Sequence, residues 1–583
     1  MDPLVLAIGA VLVIAVTTAV APRVRIAGPL LLVALGIGVS LLPFVPAVEV
    51  EPEIILVGIL PPLLYSAAVR LPAIEFRRDF GPIAGLSVIL VVLSSIVLGL
   101  FFNALVPGLG IYLALALGAI LSPTDAVATS IVKRLGISRR VVTLLEGESL
   151  LNDATSLVIL RTAVAVAITG LAPEGGVLGV FVWGIFVAIV VGALVGWLTL
   201  RLRALIGDSA ANTAIGFVVP FIAYLPTEHL GGSGLVAAVV AGIVTGQGAA
   251  RWFTPEQRMS DELNWRTVEL VLEGGVFLLM GLELKELLAS NLEGDQGLGR
   301  AAVLALGAFA LIMLVRTAYV SLLVWVQSRR ARRKLARRAQ VEAMGERIDF
   351  IEAHPGAADP GGRGRPASPV DPARQQRRLD AMRSRLARMM ADLDYYQGSP
   401  LDWKHGTVIV WAGMRGVVTL AAAQTLPYDT IERPLLVFVA FLVAVGSLML
   451  QGLTLPWIVG MLRIDDSAAD AVNRTEQLRL DGELRQAAAS ALSDRPLAKR
   501  DGTLFAPDLV ERAGTRMIEP PDEEATAALN EGLELRLALI EVMRMRLTEL
   551  SSGGLYSSAT LRRALAELDA DQLSLELRLE GGD

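Results

Sequence analysis

The sequence predicts an all-α polytopic membrane protein: about thirteen transmembrane helices, two inverted six-helix repeats with crossed discontinuous helices, and a cytoplasmic helical tail. Three observations predict it. The 583 residues are 54% hydrophobic and 19% charged, with mean hydropathy +0.57, a balance foreign to soluble globular chains. Apolar stretches of about 17 to 28 residues recur from the N-terminus to residue 462, each long enough to cross a hydrocarbon core of roughly 30 Å. Two of these stretches are interrupted at mid-depth, at corresponding places in the two halves.

The predicted spans are 3–21, 28–45, 53–69, 81–106, 108–132, 144–169, 176–200, 211–227, 232–250, 266–289, 300–327, 405–425 and 434–462. The first begins MDPLVLAIGA, with an acidic start and no small-residue cleavage pattern, so it reads as a retained helix rather than a signal peptide. There are no cysteines, which excludes disulfides and thiol chemistry. Alternate loops carry Arg23 and Arg25; Arg70, Arg77 and Arg78; Lys133, Arg134, Arg139 and Arg140; Arg201 and Arg203; and Arg251, Arg258 and Arg266. The loops between them, PAVEVEPE, LAPEGG, PTEHLGG and LEGDQG, are acidic or nearly neutral. Basic loops stay in the cytoplasm, so thirteen crossings of the cell membrane put the N-terminus outside and the C-terminus inside.

Residues 1–462 form the predicted membrane domain, interrupted at 328–404 by a cytoplasmic insert. The insert opens with SRRARRKLARRAQ beside a membrane exit, which favours a positive-inside anchor or a contact with acidic lipid over a nucleic-acid site. GAADPGGRGRPASPVDP follows and has the composition of a disordered segment. Leu379, Met382, Leu386, Met389 and Leu393 then recur at three- and four-residue steps, a helical packing seam. Residues 463–583 read as a polar helical tail, with Leu533, Leu537, Ile540 and Leu547 on one face.

Within the sixth span, GESLLNDATSLV places Ser149, Asn152, Asp153 and Ser156 at i, i+3, i+4 and i+7, one polar stripe on a helix. Charge at the bilayer centre costs about 2.5 to 3.5 kcal/mol or more, so the stripe faces protein or water. Asp153 lies about ten residues, or roughly 15 Å, from the basic end of its span, near the midplane. The preceding span contains AILSPTDAVAT, with Asp125 at nearly the same depth. Pro123 removes a backbone donor, so the carbonyls of Leu121 and Ser122 lose helical partners and become available to a ligand. Thr124, Asp125, Ser149, Asn152 and Asp153 offer oxygens apart from one amide nitrogen, a set that suits a hard cation. Ser149 or Ser156 alone would read as a hydroxyl bonded back to its own helix. An unpaired aspartate at that depth discharges itself by binding either a proton or a metal ion.

The second interruption is HGTVIVWAGMRGVVTLAAAQT, where Gly413 and Gly416 flank Arg415. With spans one to six as one half and eight to thirteen as the other, both broken spans are fifth in their half and run in opposite directions, as in inverted-repeat transporters. Arg415 supplies either fixed positive charge beside the crossing or a cap for broken-helix carbonyls. Glu148 and Arg316 lie at comparable depth and suit a structural ion pair. Glu273 is a supporting acid that depth alone would pair with Arg415, and Arg161 has no evident partner.

LSPTDAVA, GESLLNDA, EGGVFLLMGLEL, LVRTAYV and AGMRGVV, in that order, resemble the bacterial sodium/proton antiporters of the monovalent cation:proton antiporter-1 family over residues 1–462. The resemblance implies a homodimer with a dimer panel and a moving core panel that carries the crossed helices. It implies that Asp153 carries the ion or proton, with Asn152 its neighbour and Thr124 and Ser149 contributing to the cation site. It also implies that Asp125 supports the broken helix and that Glu148 and Arg316 form the core ion pair. The Asn-Asp pair is associated in that family with electroneutral exchange of one cation per proton.

The expected activity is therefore exchange of a monovalent cation, sodium first and lithium or potassium as alternatives, for a proton. A potassium/proton antiporter of the same fold is the nearest alternative and a cation channel a more distant one. An intramembrane protease using Asp125 and Asp153 as a dyad lacks further catalytic context. With no GxxxxGK[ST], HExxH or CxxC pattern, no cofactor is expected beyond the transported ions, and the remaining partner is membrane lipid.

Overall fold

The computed structural model describes residues 3–24, 26–43, 45–46, 48, 50–170, 176–293, 297–336, 338–353 and 372–464, with parts of 475–510 and 526–580. Arg25, most of LAPEGG, the GDQ of LEGDQG and the stretch with disordered composition lie outside them. Met1–Phe253, Gln257–Val326 and Leu401–Asp465 form one compact unit; Thr254–Glu256, Gln327–Pro400 and Asp466–Asp583 form a second.

The described elements are helices, apart from one isolated bridge between Ala498 and Leu504. In chain order they are α1 (Pro3–Val24), α2 (Gly28–Ser40), α3 (Ile54–Val69), α4 (Ala73–Arg78) and α5 (Phe80–Leu105). Then come α6 (Ile111–Leu121), α7 (Val127–Arg134), α8 (Arg139–Thr169), α9 (Gly176–Ala204), α10 (Ser209–His229) and α11 (Gly234–Trp252). α12 (Pro255–Leu282), α13 (Leu284–Glu293) and α14 (Leu298–Leu335) lead to α15 (Arg338–Ala353) and α16 (Pro372–Gly398). α17 (Trp403–Trp411), α18 (Val417–Gln424) and α19 (Arg433–Leu462) return to the first unit, and α20 (Thr526–Gly553) and α21 (Ser558–Glu580) belong to the tail.

Each predicted span falls on one helix or a pair. Among the described residues, eight helices are long and apolar enough to cross a membrane. The helices run further than the apolar stretches. Arg139 and Arg140 lie in α8, Arg258 and Arg266 in α12, and Arg23, Arg201, Arg203 and Arg251 in their neighbouring helices rather than in loops. Backbone hydrogen bonding continues past the apolar run until a cap ends it. Gly170 ends α8 in the left-handed region, with φ 68°. The Asp208 side chain starts α10 by accepting the Ala211 amide at 2.7 Å, and Asp402 starts α17 by accepting the His405 amide at 3.0 Å.

Small residues allow close packing. Gly99 and Gly118 bring α5 and α6 into backbone contact, and Gly192 and Gly196 do the same for α9 against α11. α8 lies along α5 and α6, while its Ala154 packs with Tyr65, Ala188, Val219, Ala223 and Ala237 of the neighbouring helices. A π-helical turn in α5, Gly85–Ile89, presents Ser87 to α8, where its hydroxyl reaches the carbonyls of Gly147 at 3.4 Å and Glu148 at 3.3 Å.

In the second unit α15 and α16 pair as a hairpin. Of the predicted seam, Leu379 and Leu393 are buried and Leu386 half-buried, but Met382 and Met389 are each 43% exposed. One partner helix covers only a narrow stripe at seven-residue steps, which leaves the intervening methionines outside it. In α20, Leu533, Ile540 and Leu547 are buried and Leu537 half-buried, and Leu535 and Leu539 form a further cluster with Ala488 and Phe505.

Candidate cation site

Pro123 stops α6 at Leu121, because it has no N–H and its ring clashes with the preceding turn; helix resumes at Val127. The second break opens between Trp411 and Val417. The two open stretches cross, and the Asp125 N–H donates to the Met414 carbonyl at 2.8 Å.

Two broken helices present four helix ends to the protein interior: carbonyl ends that carry partial negative charge and amide ends that carry partial positive charge. The Arg415 guanidinium donates from Nε to the Leu121 carbonyl at 3.1 Å and from Nη2 to the Ser122 carbonyl at 3.4 Å, and from Nη1 to Gly413 in its own stretch. Arg316 caps α17 by donating to the Ile409 carbonyl from Nε at 3.1 Å and Nη2 at 2.9 Å. Asp125 serves the amide ends. Its Oδ1 accepts the Val127 N–H at 2.9 Å, and its carboxylate also faces the amides of Ala126 and Val417. Gly416 makes this possible, since a Cβ there would overlap the Asp125 carboxylate.

Two expectations are corrected. The carbonyls of Leu121 and Ser122 are not left without partners, since each accepts from Arg415. Arg415 does not pair with Glu273, because its guanidinium is turned to backbone carbonyls; Glu273 is half-buried on α12, with Asp125, Glu269, Arg70 and Arg134 as charged neighbours. Depth along a helix does not specify which way round the helix a side chain points.

Glu148 and Arg316 meet side by side, both carboxylate oxygens engaged, with Nη2 to Oε2 at 2.9 Å and both side chains 2% exposed. The Thr124 hydroxyl donates to Glu148 Oε1 at 3.1 Å. Asn152 in turn donates its amide to the Thr124 hydroxyl at 2.8 Å and the Thr124 carbonyl at 3.2 Å. Its Oδ1 is buried with no hydrogen-bond partner among the described residues.

Asp153 is 8% exposed, and among the described residues its carboxylate makes no hydrogen bond or ion pair; the Ser156 hydroxyl donates to its backbone carbonyl at 2.9 Å. Ser149, also 8% exposed, lies one turn before it on the same face of α8. Glu148, Asp125 and Asp153 are acids, and Arg316 and Arg415 the two guanidiniums. The oxygens of Glu148 and Asp125 are engaged, and the carboxylate left without a partner among the described residues is that of Asp153. A monovalent cation or a proton bound there would neutralise that carboxylate, with the Asn152 Oδ1 and the Ser149 hydroxyl as further oxygens of the same helix face.

The sequence left three polar partners unread. Arg161, 54% exposed, pairs with Glu228 at the end of α10. Asp79 and Arg140 form a buried pair at the start of α8, at 3.0 and 2.9 Å. Ser447 of α19 accepts the backbone N–H of Arg415 at 2.9 Å. An isolated serine in an apolar span carries no pattern that would single it out.

The sequence profile described as "Sodium/hydrogen exchanger, transmembrane" matches residues 9–344 and 385–460. A Mycobacterium tuberculosis protein named "Uncharacterized Na(+)/H(+) exchanger Rv2287" is 28% identical over 593 residues, covering 98% of this chain and 96% of its own. A Bacillus subtilis protein named "Sodium, potassium, lithium and rubidium/H(+) antiporter" is 30% identical over 269 residues, 45% of this chain and 40% of its own. The solved sodium proton antiporter MjNhaP1 from Methanocaldococcus jannaschii shares the fold, with TM-score 0.52 and 16% identity over 79% of this chain and 99% of that one.

Proposed function

The chain belongs to the sodium/hydrogen exchanger family, a family of cation/proton antiporters rather than enzymes, and we propose that it exchanges one sodium ion for one proton across the cell membrane by alternating access. Asp153 is the shared binding group. It holds a proton when presented to one side and a sodium ion when presented to the other, and the bare carboxylate is the form that does not cross. Asn152, Ser149 and Thr124 help to shape the cation site, and Asp125 supports the crossing. Glu148 with Arg316, and Arg415 between Gly413 and Gly416 opposite the Pro123 break, hold the two open stretches together. Glu273 is an acid on the approach to them. The N-terminus lies outside, the 328–404 insert and the 463–583 tail lie in the cytoplasm, and two copies form the working homodimer.

The observation that carries the reading is the isolation of Asp153 beside two acids whose oxygens are already engaged. One unpartnered carboxylate takes one positive charge in either direction, which supports electroneutral exchange. A pH difference of one unit is worth about 1.4 kcal/mol per proton, enough to sustain a roughly tenfold sodium gradient at one-for-one exchange.

The printed name of the Bacillus subtilis relative favours a second reading, in which potassium, lithium or rubidium also serves. Purified protein in proteoliposomes, given sodium, lithium and potassium in turn across a pH series, separates these readings. Saturable, proton-coupled sodium movement with no membrane current supports one-for-one exchange. A large uncoupled current would replace it with a channel.

A further inference from the structure

Resting on that exchange reading, we infer that Ser447 is a positioning residue for the cation site, acting through the peptide group that joins Met414 to Arg415. Ser447 lies on α19 and is 1% exposed. Its hydroxyl oxygen accepts the Arg415 N–H at 2.9 Å, and its own proton goes to the Ala444 carbonyl at 3.1 Å. The carbonyl of the same peptide group, that of Met414, accepts the Asp125 N–H at 2.8 Å.

A peptide group is planar, with its C=O and N–H directed oppositely, so one orientation of the plane sets both bonds. α19 holds this plane at one end and the first open stretch holds it at the other. Neither Met414 nor Arg415 lies within a helix that would fix the plane by itself. Without the serine oxygen a buried N–H loses its acceptor, and the plane turns toward another at the expense of the bond to Asp125.

The effect reaches the ligands in short steps. Asp125 follows Thr124, whose carbonyl and hydroxyl receive the Asn152 amide at 3.2 and 2.8 Å. That grip decides where the Asn152 Oδ1 points, and Asp153 is the next residue along α8. Ser447 touches no cation and exchanges no proton in this scheme. Its loss disturbs how tightly and how selectively a cation is held, more than how fast a loaded carrier turns over.

The full-length protein in proteoliposomes tests this, as wild type, Ser447→Ala, Ser447→Cys and Ser447→Thr, from initial rates of pH-driven uptake over sodium and lithium series. Ser447→Ala is expected to raise the sodium KM about fivefold or more and to change the ratio of sodium to lithium KM, with a smaller fall in maximal rate per folded molecule. Ser447→Thr keeps the oxygen and is expected to stay within about twofold of wild type. A role in folding alone lowers the maximal rate and leaves both KM values in place. If Ser447→Ala does not accumulate, Ser447→Cys carries the test, since sulfur is a weak acceptor of similar size. Wild-type KM values in Ser447→Ala, or in Ser447→Cys when Ser447→Ala is lost, overturn the inference, as does a Ser447→Thr variant as impaired as either. Failure of the exchange reading shows separately, as a wild type with no sodium- or lithium-dependent proton movement.

Discussion

Asp125 and Met414 join the two open stretches by one backbone hydrogen bond, the Asp125 N–H donating to the Met414 carbonyl at 2.8 Å. Around that bond each broken helix end meets a group of opposite sign: Arg415 and Arg316 at carbonyl ends, Asp125 at amide ends. The Asp153 carboxylate caps no such end and has no partner among the described residues.

Gly416→Ala tests the close approach. A Cβ there would overlap the Asp125 carboxylate, and forcing such a contact costs typically about 1 to 3 kcal/mol. The expected outcome is a lower melting temperature in detergent together with exchange near the background of empty vesicles. An alanine variant with wild-type melting and flux would mean that the carboxylate does not lie over this residue.

The Glu148–Arg316 pair predicts a pattern rather than a single loss. Arg316→Met leaves a buried carboxylate uncompensated and is expected to destabilise the protein by about 3 to 5 kcal/mol. Glu148→Gln combined with Arg316→Met removes both charges, and should melt higher than Arg316→Met alone. Melting curves of the two variants and of wild type decide it; equal melting of the single and double variants would count against a coupled pair.

Arg161 predicts the opposite. Its guanidinium is 54% exposed and the Glu228 carboxylate 24%, so Arg161→Gln leaves no fully buried charge uncompensated and should change melting and flux little. A loss as large as that of Arg316→Met would show that the contact does more than its exposure allows.

Competition for one carboxylate sets the pH dependence. When protons and sodium exclude each other at Asp153, acidification raises the apparent sodium KM, approaching tenfold per pH unit where the protonated form predominates. Saturating sodium should restore the rate. Initial rates over a grid of sodium and pH on the sodium-loading side measure this, and a maximal rate that falls with acid at unchanged KM would indicate separate sites.

The helical architecture and the two breaks were legible because apolar length, Pro123 and the Gly413–Gly416 pair are local signals. The polar stripe of α8 was legible for the same reason, from three- and four-residue spacing. What resisted was azimuth and distance along the chain. Arg161 finds Glu228 67 residues away, and Arg415 reaches back to Leu121 across 294. Glu273 lies at a depth that suggested Arg415, yet faces a different set of charges. Met382 and Met389 follow the helical repeat of Leu379 and Leu393, but a single partner helix leaves them uncovered.

The central claim is that Asp153 carries the exchanged charge, and the most direct measurement is sodium uptake driven by a pH gradient into proteoliposomes holding Asp153→Asn beside wild type. The asparagine is nearly isosteric and cannot take up a proton as the carboxylate does. Uptake at the level of empty vesicles, from a variant that inserts and melts like wild type, is the predicted result. Proton-coupled sodium uptake at the wild-type rate would contradict it.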